Sequence, residues 1–277
     1  WPLSVMADLA DNLRINQIQF VGSHNSYKQA MSQNHFQALT KRNPTAAQGL
    51  QYAHVPLIDQ LNLGIRKIEL DIFWTPPWFT VGHVQEIDMN SHCATLTDCL
   101  KTLTLWSRHN NTHVPIWISL NAKDANIAGL PKPKRFTAAA FNTLDQTLLT
   151  HLHGKLITPA AIKVTEQPAW PTLAASRGQF LVILDEGGAK RDLYAQHWRA
   201  RPMFINVARN HPAAAVMIIN DPVRAMAQIQ KLVQQGYMVR TRADADTQEA
   251  RSNDTTRREA AFKSGAQAVS TDYHLPG

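Results

Sequence analysis

Short apolar runs alternate with longer amphipathic stretches along most of the chain. Eight runs have the length and composition of strands, at residues 17–23, 66–72, 79–84, 115–121, 179–186, 214–221, 236–244 and 266–273. Several of them, such as 179–186 (QFLVILDE) and 214–221 (AAVMIIND), are continuously apolar and do not alternate. Continuous runs are typical of parallel strands that are covered on both faces.

The stretches between these runs carry the spacing of amphipathic helices, at residues 93–108, 136–152, 222–235 and 246–264. Strands that alternate with helices over 277 residues are typical of a (β/α)8 TIM barrel. We therefore predict an α/β fold with one such barrel as a single domain over residues 1–277. A doubly wound parallel sheet is the alternative.

Polar residues gather where the predicted strands end. In chain order they are His24 and Asn25, Glu69 and Asp71, His83, Asn121 and Lys123, Asp185 and Glu186, Asn220 and Asp221, Arg240 and Arg242, and Asp272 and Tyr273. Barrel enzymes place their chemistry at the carboxyl ends of the strands. The pattern therefore predicts one polar mouth to which all eight strands contribute.

Oxygen ligands for a metal ion stand at the first two strand ends. Glu69 and Asp71 are two residues apart, so both side chains point to the same face of a strand, and Asn25 ends the strand before them. Carboxylate and carboxamide oxygens suit calcium or magnesium better than zinc. The alternative is that the two carboxylates form ion pairs with Arg66 or Lys123.

Two histidines follow apolar runs directly after glycine or glycine-serine. His24 and His83 end the first and third predicted strands, which would flank the second strand in a barrel. A facing pair of imidazoles can divide proton removal and proton donation between them. These two are the candidate catalytic residues.

Four further residues are candidates for substrate binding. Lys123 and Arg242, with Arg240 as an alternative on the same strand face, can stabilise charge on a phosphate. Either cation can instead pair with Asp71, Asp244 or Asp272. Asp185 and Tyr273, at the fifth and eighth strand ends, complete the expected substrate contacts.

Composition narrows the classes of partner. The net charge is +7, which favours anionic partners, but no basic helix with interleaved aromatic residues is present, and this argues against nucleic acid. No apolar run approaches the roughly 20 residues of a membrane-spanning helix, so contact with lipid is expected to be peripheral. The chain also has no Gly-x-Ser-x-Gly elbow, phosphate-binding loop or dinucleotide fingerprint.

The only two cysteines, Cys93 and Cys99, are too few for a structural zinc site, and we expect them to form a disulfide. A single close pair fits a secreted or periplasmic protein, although two buried thiols in a cytosolic protein would have the same sequence. The first residue is Trp1, which fits removal of a targeting segment and equally fits trimming for expression.

Six motifs together resemble the bacterial and fungal calcium-dependent phosphoinositide-specific phospholipase C family. They are GSHNSY, IELDIF, VGH, HCATLTDCL, RTRADADT and SGAQAVSTDYHLP, and the likeness runs from about residue 20 to the C-terminus. The resemblance implies a distorted TIM barrel that cleaves phosphatidylinositol to diacylglycerol and a cyclic inositol phosphate. It also implies His24 and His83 as the catalytic pair and Asn25, Glu69 and Asp71 as calcium ligands.

The mechanism that the resemblance implies is attack of the inositol 2-hydroxyl on phosphorus, with one histidine as base and the other as acid. His24 is favoured as the group near the attacking hydroxyl and His83 as the acid, and a carboxylate metal ligand is the alternative base. One position departs from the family. Asn121 stands where related phospholipases carry Glu, so a calcium site with Asn121 as its fourth ligand should bind more weakly.

Two other functions fit the same residues. A phosphodiesterase that uses water as the nucleophile, similar to glycerophosphodiester phosphodiesterases or sphingomyelinase D, would release an open phosphate directly. A binding protein for inositol phosphates or lipid headgroups, with catalysis lost, would bind without turnover. The segment 74–79 (WTPPWF), with Trp74, Trp78 and Phe79, is the candidate membrane contact, and packing of these rings in a lid or core is the alternative.

Overall fold

The computed structural model describes residues 9–164 and 167–275, and the account below concerns these residues. They form twelve strands: β1 Phe20–Ser23, β2 Lys67–Thr75, β3 Trp78–Val81, β4 Ile116–Ala122, β5 Leu156–Ile157, β6 Lys163–Val164, β7 Pro168–Ala169, β8 Phe180–Leu184, β9 Phe204–Ile205, β10 Val216–Ile218, β11 Met238–Arg242 and β12 Ala268–Thr271.

The same described residues form ten α-helices: α1 Gln33–Arg42, α2 Pro44–Gly49, α3 Leu57–Asn62, α4 Leu96–His109, α5 Ala138–His151, α6 Leu173–Ser176, α7 Gly188–Ala195, α8 Met226–Gln234, α9 Gln248–Ser252 and α10 Thr256–Lys263. Short 3-10 turns lie at Ile15–Gln17, Pro159–Ala161 and Trp198–Ala200. None of the helices in residues 9–164 and 167–275 is long and apolar enough to cross a bilayer.

Eight parallel strands curl into a barrel in the order β1, β2, β4, β8, β9, β10, β11, β12. Strands β11, β12 and β1 pair in continuous register, as do β2, β4 and β8. Two joints are much weaker, since β1 meets β2 at the single pair Gly22 and Lys67, and the chain after β9 meets β10 at the single bridge Asn206 to Val216. The predicted barrel is confirmed, and these two joints are its distortion.

The predicted third barrel strand is wrong. Residues 78–81 form β3, which returns antiparallel to β2 as a hairpin over the turn at Pro76 and Pro77. A strand of four residues is too short to show whether its burial is continuous, as in parallel strands, or alternating, as in antiparallel ones. The barrel strand that takes the place of the predicted third one is β9, between β8 and β10. It has two residues and is too short to show a pattern.

The predicted helices are confirmed with shorter bounds, and one of them is divided. The pattern over 246–264 contains α9 and α10, because Asn253 between them has φ 51° and cannot continue a right-handed helix. Helix α4 begins where predicted to within three residues, with the Thr95 side chain accepting a hydrogen bond from the Asp98 N–H. The disulfide between Cys93 and Cys99 joins α4 to the loop before it.

Alternate residues of the strands face opposite sides of the barrel wall. On β2, Ile68, Leu70 and Ile72 point outward into the same buried cluster as Leu100 and Leu103 of α4. A second cluster fills the barrel interior near the amino ends of the strands, with large side chains such as Phe20, Trp117, Leu181, Phe204 and Met238. The interior is therefore apolar at one end, and its polar residues lie towards the carboxyl ends of the strands.

Candidate active site

The side chains that face into the barrel are polar towards the carboxyl ends of the strands, and on β2 they are polar from its first residue. Strand β2 turns Lys67, Glu69 and Asp71 inward, and all three are buried. Beside them on β4, the inward residue Asn121 pairs in register with Asp71. The predicted polar mouth is therefore present, and the period of two along parallel strands creates it.

His24 follows β1 and is held by an acid from the opposite end of the sequence. Its Nδ1 lies 2.6 Å from Oδ1 of Asp272, and its Nε2 lies 3.5 Å from Oε1 of Glu69. The Tyr52 hydroxyl and Arg242 Nη2 also reach Nδ1, at 3.3 Å and 3.4 Å. Because Asp272 accepts from the Nδ1 side, Nε2 is the nitrogen left to take up a proton.

Asp272 is buried, and burial on its own raises the pKa of its carboxyl. The charges of His24 and Arg242, together with the hydrogen bond from His24, bring that pKa below its usual value. A second acid, Asp244, holds the backbone next to Asp272 in place. Asp244 accepts a 2.9 Å hydrogen bond from the Asp272 N–H and another from the Thr271 hydroxyl. Burial, with the nearby charge of Asp272, raises the pKa of Asp244 to about 6.

His83 lies just after the β2–β3 hairpin and has the same kind of support. Its Nδ1 is 3.2 Å from Oδ2 of Asp88, whose other oxygen pairs with Lys28 at 2.7 Å. Burial alone raises the pKa of Asp88, but the hydrogen bond from His83 and the charge of Lys28 lower it overall. Like His24, His83 keeps about a fifth of its side chain exposed (20%).

The two carboxylates of β2 share one amide and have one lysine each. Asn121 Nδ2 donates to Oε1 of Glu69 at 3.2 Å and to Oδ1 of Asp71 at 2.9 Å. Lys67 pairs with the other oxygen of Glu69, and Lys123 lies 2.8 Å from Oδ2 of Asp71. The ion pair that the sequence offered as an alternative therefore exists for Lys123, whereas Arg66 donates to the carbonyls of Leu61 and Ile65.

Lys67 is fully buried and also donates to the Ser23 carbonyl at 3.1 Å and to the Ser270 hydroxyl at 3.0 Å. Burial lowers the pKa of Lys67 to about 8, although Glu69 opposes the shift. For Glu69 itself, burial raises the pKa, but Lys67 and then His24 and Arg240 bring it well below the usual value. Glu69 therefore stays ionised inside the barrel.

The donor set fits a hard cation such as calcium. Asn25 Oδ1 is buried and has no hydrogen-bond partner among the described residues, and the backbone of Asn25 is in the left-handed region with φ 47°. Asn121 Nδ2 lies within reach of both carboxylates, and rotating the amide offers its oxygen to the same point. Two of the four candidate ligands are amides, and among the described residues no three His, Cys, Asp or Glu side chains form a metal-binding group.

The structure brings two of the four predicted substrate-binding residues, Lys123 and Arg242, next to the other site residues, and it places Asp185 and Tyr273 differently. Lys123 and Arg242 lie with the site, next to Asp71 and to His24. Asp185 is instead joined to Arg240, which also contacts Glu69 at 3.6 Å and is buried, so this pair braces the barrel interior.

Tyr273 is 40% exposed. Its backbone N–H donates to Thr271, and within the described part of the chain no hydrogen bond joins its hydroxyl to the group around His24.

The sequence pattern does not indicate several of the residues that support the site. Lys67 could have been found, because it precedes Glu69 by two residues and so shares its face of β2. Asp272 was noted at its strand end, but only as an ion-pair partner. Tyr52, which accepts a 2.8 Å hydrogen bond from Asn25, and Asp88 lie in connecting segments where no periodic pattern marks them.

Comparisons with known proteins identify the family of the chain and relate its fold to solved structures. A family model described as phosphoinositide phospholipase C, Ca2+-dependent, matches residues 13–77 and 74–276. Among curated proteins, no sequence matches the chain.

Solved structures show the same fold. A calcium-dependent phosphoinositol-specific phospholipase C from Pseudomonas sp. superimposes with a TM-score of 0.65 at 16% identity, over 96% of this chain and 93% of that one. The calcium-dependent enzyme from Streptomyces antibioticus gives 0.63 at 16% identity over 94% and 95%. The phosphatidylinositol-specific phospholipase C of Listeria monocytogenes gives 0.58 at 15% identity over 97% and 92%.

Proposed function

The chain belongs to the calcium-dependent phosphoinositide phospholipase C family, and we propose that it cleaves phosphatidylinositol to diacylglycerol and a cyclic inositol phosphate. One observation carries the proposal. His24 and His83 each have Nδ1 beside a buried carboxylate, that of Asp272 or Asp88, and each keeps part of its ring exposed. Two supported imidazoles at one mouth fit a reaction that needs one base and one acid.

His24 is the proposed base. With its Nδ1–H held by Asp272, Nε2 accepts the proton of the inositol 2-hydroxyl as that oxygen bonds to phosphorus. The ionised Asp272 stabilises the imidazolium that forms, and a carboxylate in this position is effective because it is buried and already charged.

His83 is the proposed acid. In its protonated form it donates to the diacylglycerol oxygen as the bond from that oxygen to phosphorus breaks. Asp88 stabilises the protonated ring, and Lys28 keeps Asp88 ionised. At the end of the step His24 has gained one proton and His83 has lost one, so exchange with solvent restores both.

Two cations are proposed to bind the phosphate. Lys123 retains its charge, because Asp71 raises its pKa despite the burial that lowers it, and a third of its side chain is exposed (34%). Arg242 lies beside His24, where its guanidinium can contact a phosphate oxygen during attack. Both would offset the negative charge that grows on phosphorus oxygens.

Asn25, Glu69, Asp71 and Asn121 are the residues proposed to hold calcium. When bound, the ion would stabilise negative charge on the phosphate oxygens and lower the pKa of the attacking hydroxyl. With only two carboxylates in the set, each already paired with a lysine, we expect weaker calcium binding than in a site with three.

We further propose that the protein acts outside the cytoplasm at the surface of a membrane that contains its substrate. The disulfide between Cys93 and Cys99 supports an oxidising compartment. A water-soluble enzyme with a lipid substrate must meet it at an interface.

Replacement of either histidine tests the proposal. His24→Gln and His83→Gln should each lower turnover of phosphatidylinositol by about 10²–10⁴-fold and shift the thermal midpoint little. The matched control is His153→Gln, which changes an exposed histidine and should leave turnover unchanged. Turnover within tenfold of wild type in both site variants would refute the assignment.

A further inference from the structure

A pocket of about 240 Å³ lies beside His83, separate from the carboxylates that the mechanism uses. Its lining includes Phe73, His83, Lys123, Ile127 and Leu130. Most of these side chains are apolar, and His83 and Lys123 are the two that also belong to the proposed site. The pocket is therefore a mostly apolar space next to His83, the proposed acid, and Lys123, one of the two cations proposed to bind the phosphate.

The segment after β4 that forms one wall is held in place. Asp124 accepts a 3.2 Å hydrogen bond from the Phe136 N–H and pairs with Lys190 at 3.0 Å, which closes the segment into a loop. Phe136 stacks on Phe79 of the hairpin, with ring centroids 6.0 Å apart. This segment and the β2–β3 hairpin thus form one structure on both sides of the pocket.

The hairpin and the segment after β4, which both contribute to the pocket lining, also carry exposed apolar and basic groups. Ile127 and Trp78 are large hydrophobic residues that are 49% and 55% exposed. The same segment carries three exposed cations, Lys132, Lys134 and Arg135, and Lys134 bridges to Trp74 of the hairpin. Exposed apolar side chains on two elements, one of which also carries basic residues, suit an anionic lipid surface.

We propose that this pocket receives the glycerol backbone and the first acyl carbons of the departing diacylglycerol, and that Ile127 and Leu130 select lipid over water-soluble phosphodiesters. The inference rests on the proposed function, because the acid must face the oxygen that leaves. The glycerol carbon bonded to that oxygen then extends away from His83, and the space lined by His83 is this pocket.

The volume and chemistry of the pocket suit this occupant. The space holds roughly eight groups the size of a water molecule, enough for glycerol and the start of its esters but not for whole acyl chains. The rest of each chain would remain in the membrane, which agrees with the exposed Trp78 of the hairpin and the exposed basic residues of the segment after β4.

The experiment compares phosphatidylinositol in vesicles with glycerophosphoinositol, which has the same headgroup and no acyl chains. Wild type, Ile127→Asp and the control Leu105→Asp, which changes an exposed leucine of α4, are assayed on both substrates at saturating calcium. We expect wild type to prefer the lipid, and Ile127→Asp to lower the ratio of the two kcat/KM values at least tenfold. Ile127→Leu and Leu105→Asp should keep the wild-type ratio.

Each outcome separates the pocket from the catalytic proposal. Equal kcat/KM for the two substrates in wild type, or an unchanged ratio in Ile127→Asp, would overturn the proposed role of the pocket in lipid selection. Neither result would affect the proposed function. A wild-type protein that cleaves neither substrate would overturn the proposed function itself. A thermal midpoint measured for each variant identifies any loss that comes from unfolding.

Discussion

At the scale of single residues, the two histidines take their proposed roles from carboxylates that lie far from them or outside any strand. Asp272 reaches His24 across 248 positions of sequence, whereas Asp88 follows His83 by five. The strand-end pattern indicated both histidines, because barrel geometry brings strand ends together. It did not indicate which acid would meet which ring, since that depends on register and on a loop.

Asp244 gives a pH-dependent prediction at this scale. Its pKa is raised to about 6 in the folded protein, against about 4 for an unfolded Asp. The unfolded chain therefore loses this proton first, and the free energy of unfolding falls as the pH rises from about 4 to about 6. Asp244→Asn removes this contribution, so the variant should gain thermal stability relative to wild type between pH 4.5 and pH 7.5.

The size of that gain is on the order of 1–3 kcal/mol for a shift of this size, or about 2–4 °C in thermal midpoint for each kcal/mol. Asp192→Asn, which changes an exposed carboxylate, should show a constant difference from wild type across the same range. A difference for Asp244→Asn that does not change with pH would contradict a raised pKa.

Asn121 gives a prediction about calcium. Asn121→Glu adds a third carboxylate beside Glu69 and Asp71, so we expect calcium to bind about tenfold or more tightly. Without calcium the variant should be less stable than wild type, because three carboxylates then repel one another. Calcium-induced shifts in thermal midpoint and calorimetric titration measure both effects. Asn121→Gln, which adds no charge, should not tighten binding, and unchanged affinity in Asn121→Glu would exclude Asn121 from the calcium site.

At the scale of elements, continuous apolar runs identified seven of the eight barrel strands over the described residues. They failed at β3, which forms a hairpin with β2, and at β9, which is two residues long. The hairpin still delivers His83 to the mouth, because the Gly82 N–H donates to the Asp71 carbonyl at 3.2 Å. The structure thus brings His83 to the mouth on a hairpin and not on the barrel strand that the sequence predicts.

The disulfide supports one element boundary, the start of α4. Both sulfurs are buried, and the closed loop spans six positions. Replacing Cys93 and Cys99 together with Ser should lower the free energy of unfolding by about 2 kcal/mol, the entropic value for a loop this short. Chemical denaturation of the oxidised wild type and the double variant measures this. Equal stability would mean that packing alone holds this loop on α4.

At the scale of the whole molecule, the order of strands and helices was sufficient to predict the barrel, and six motifs were sufficient to predict the family. Neither predicted how the barrel interior is neutralised. Lys67, Lys123, Arg240 and Arg242 surround the acids of the mouth, and three of these cations touch Glu69 or Asp71. The ion pairs of these cations join residues on or directly after five strands, β2, β4, β8, β11 and β12. The pattern of apolar and polar residues along the sequence does not indicate which of them pair.

Intramolecular attack by the inositol hydroxyl makes a cyclic phosphodiester the first product, so the identity of that product tests the proposed mechanism. Phosphorus NMR of phosphatidylinositol in mixed micelles should show a cyclic inositol phosphodiester as the first product when protein and calcium are present. The same signal should fail to form once calcium is chelated. An open phosphate monoester as the first product, with no cyclic signal before it, would rule out attack by the inositol 2-hydroxyl.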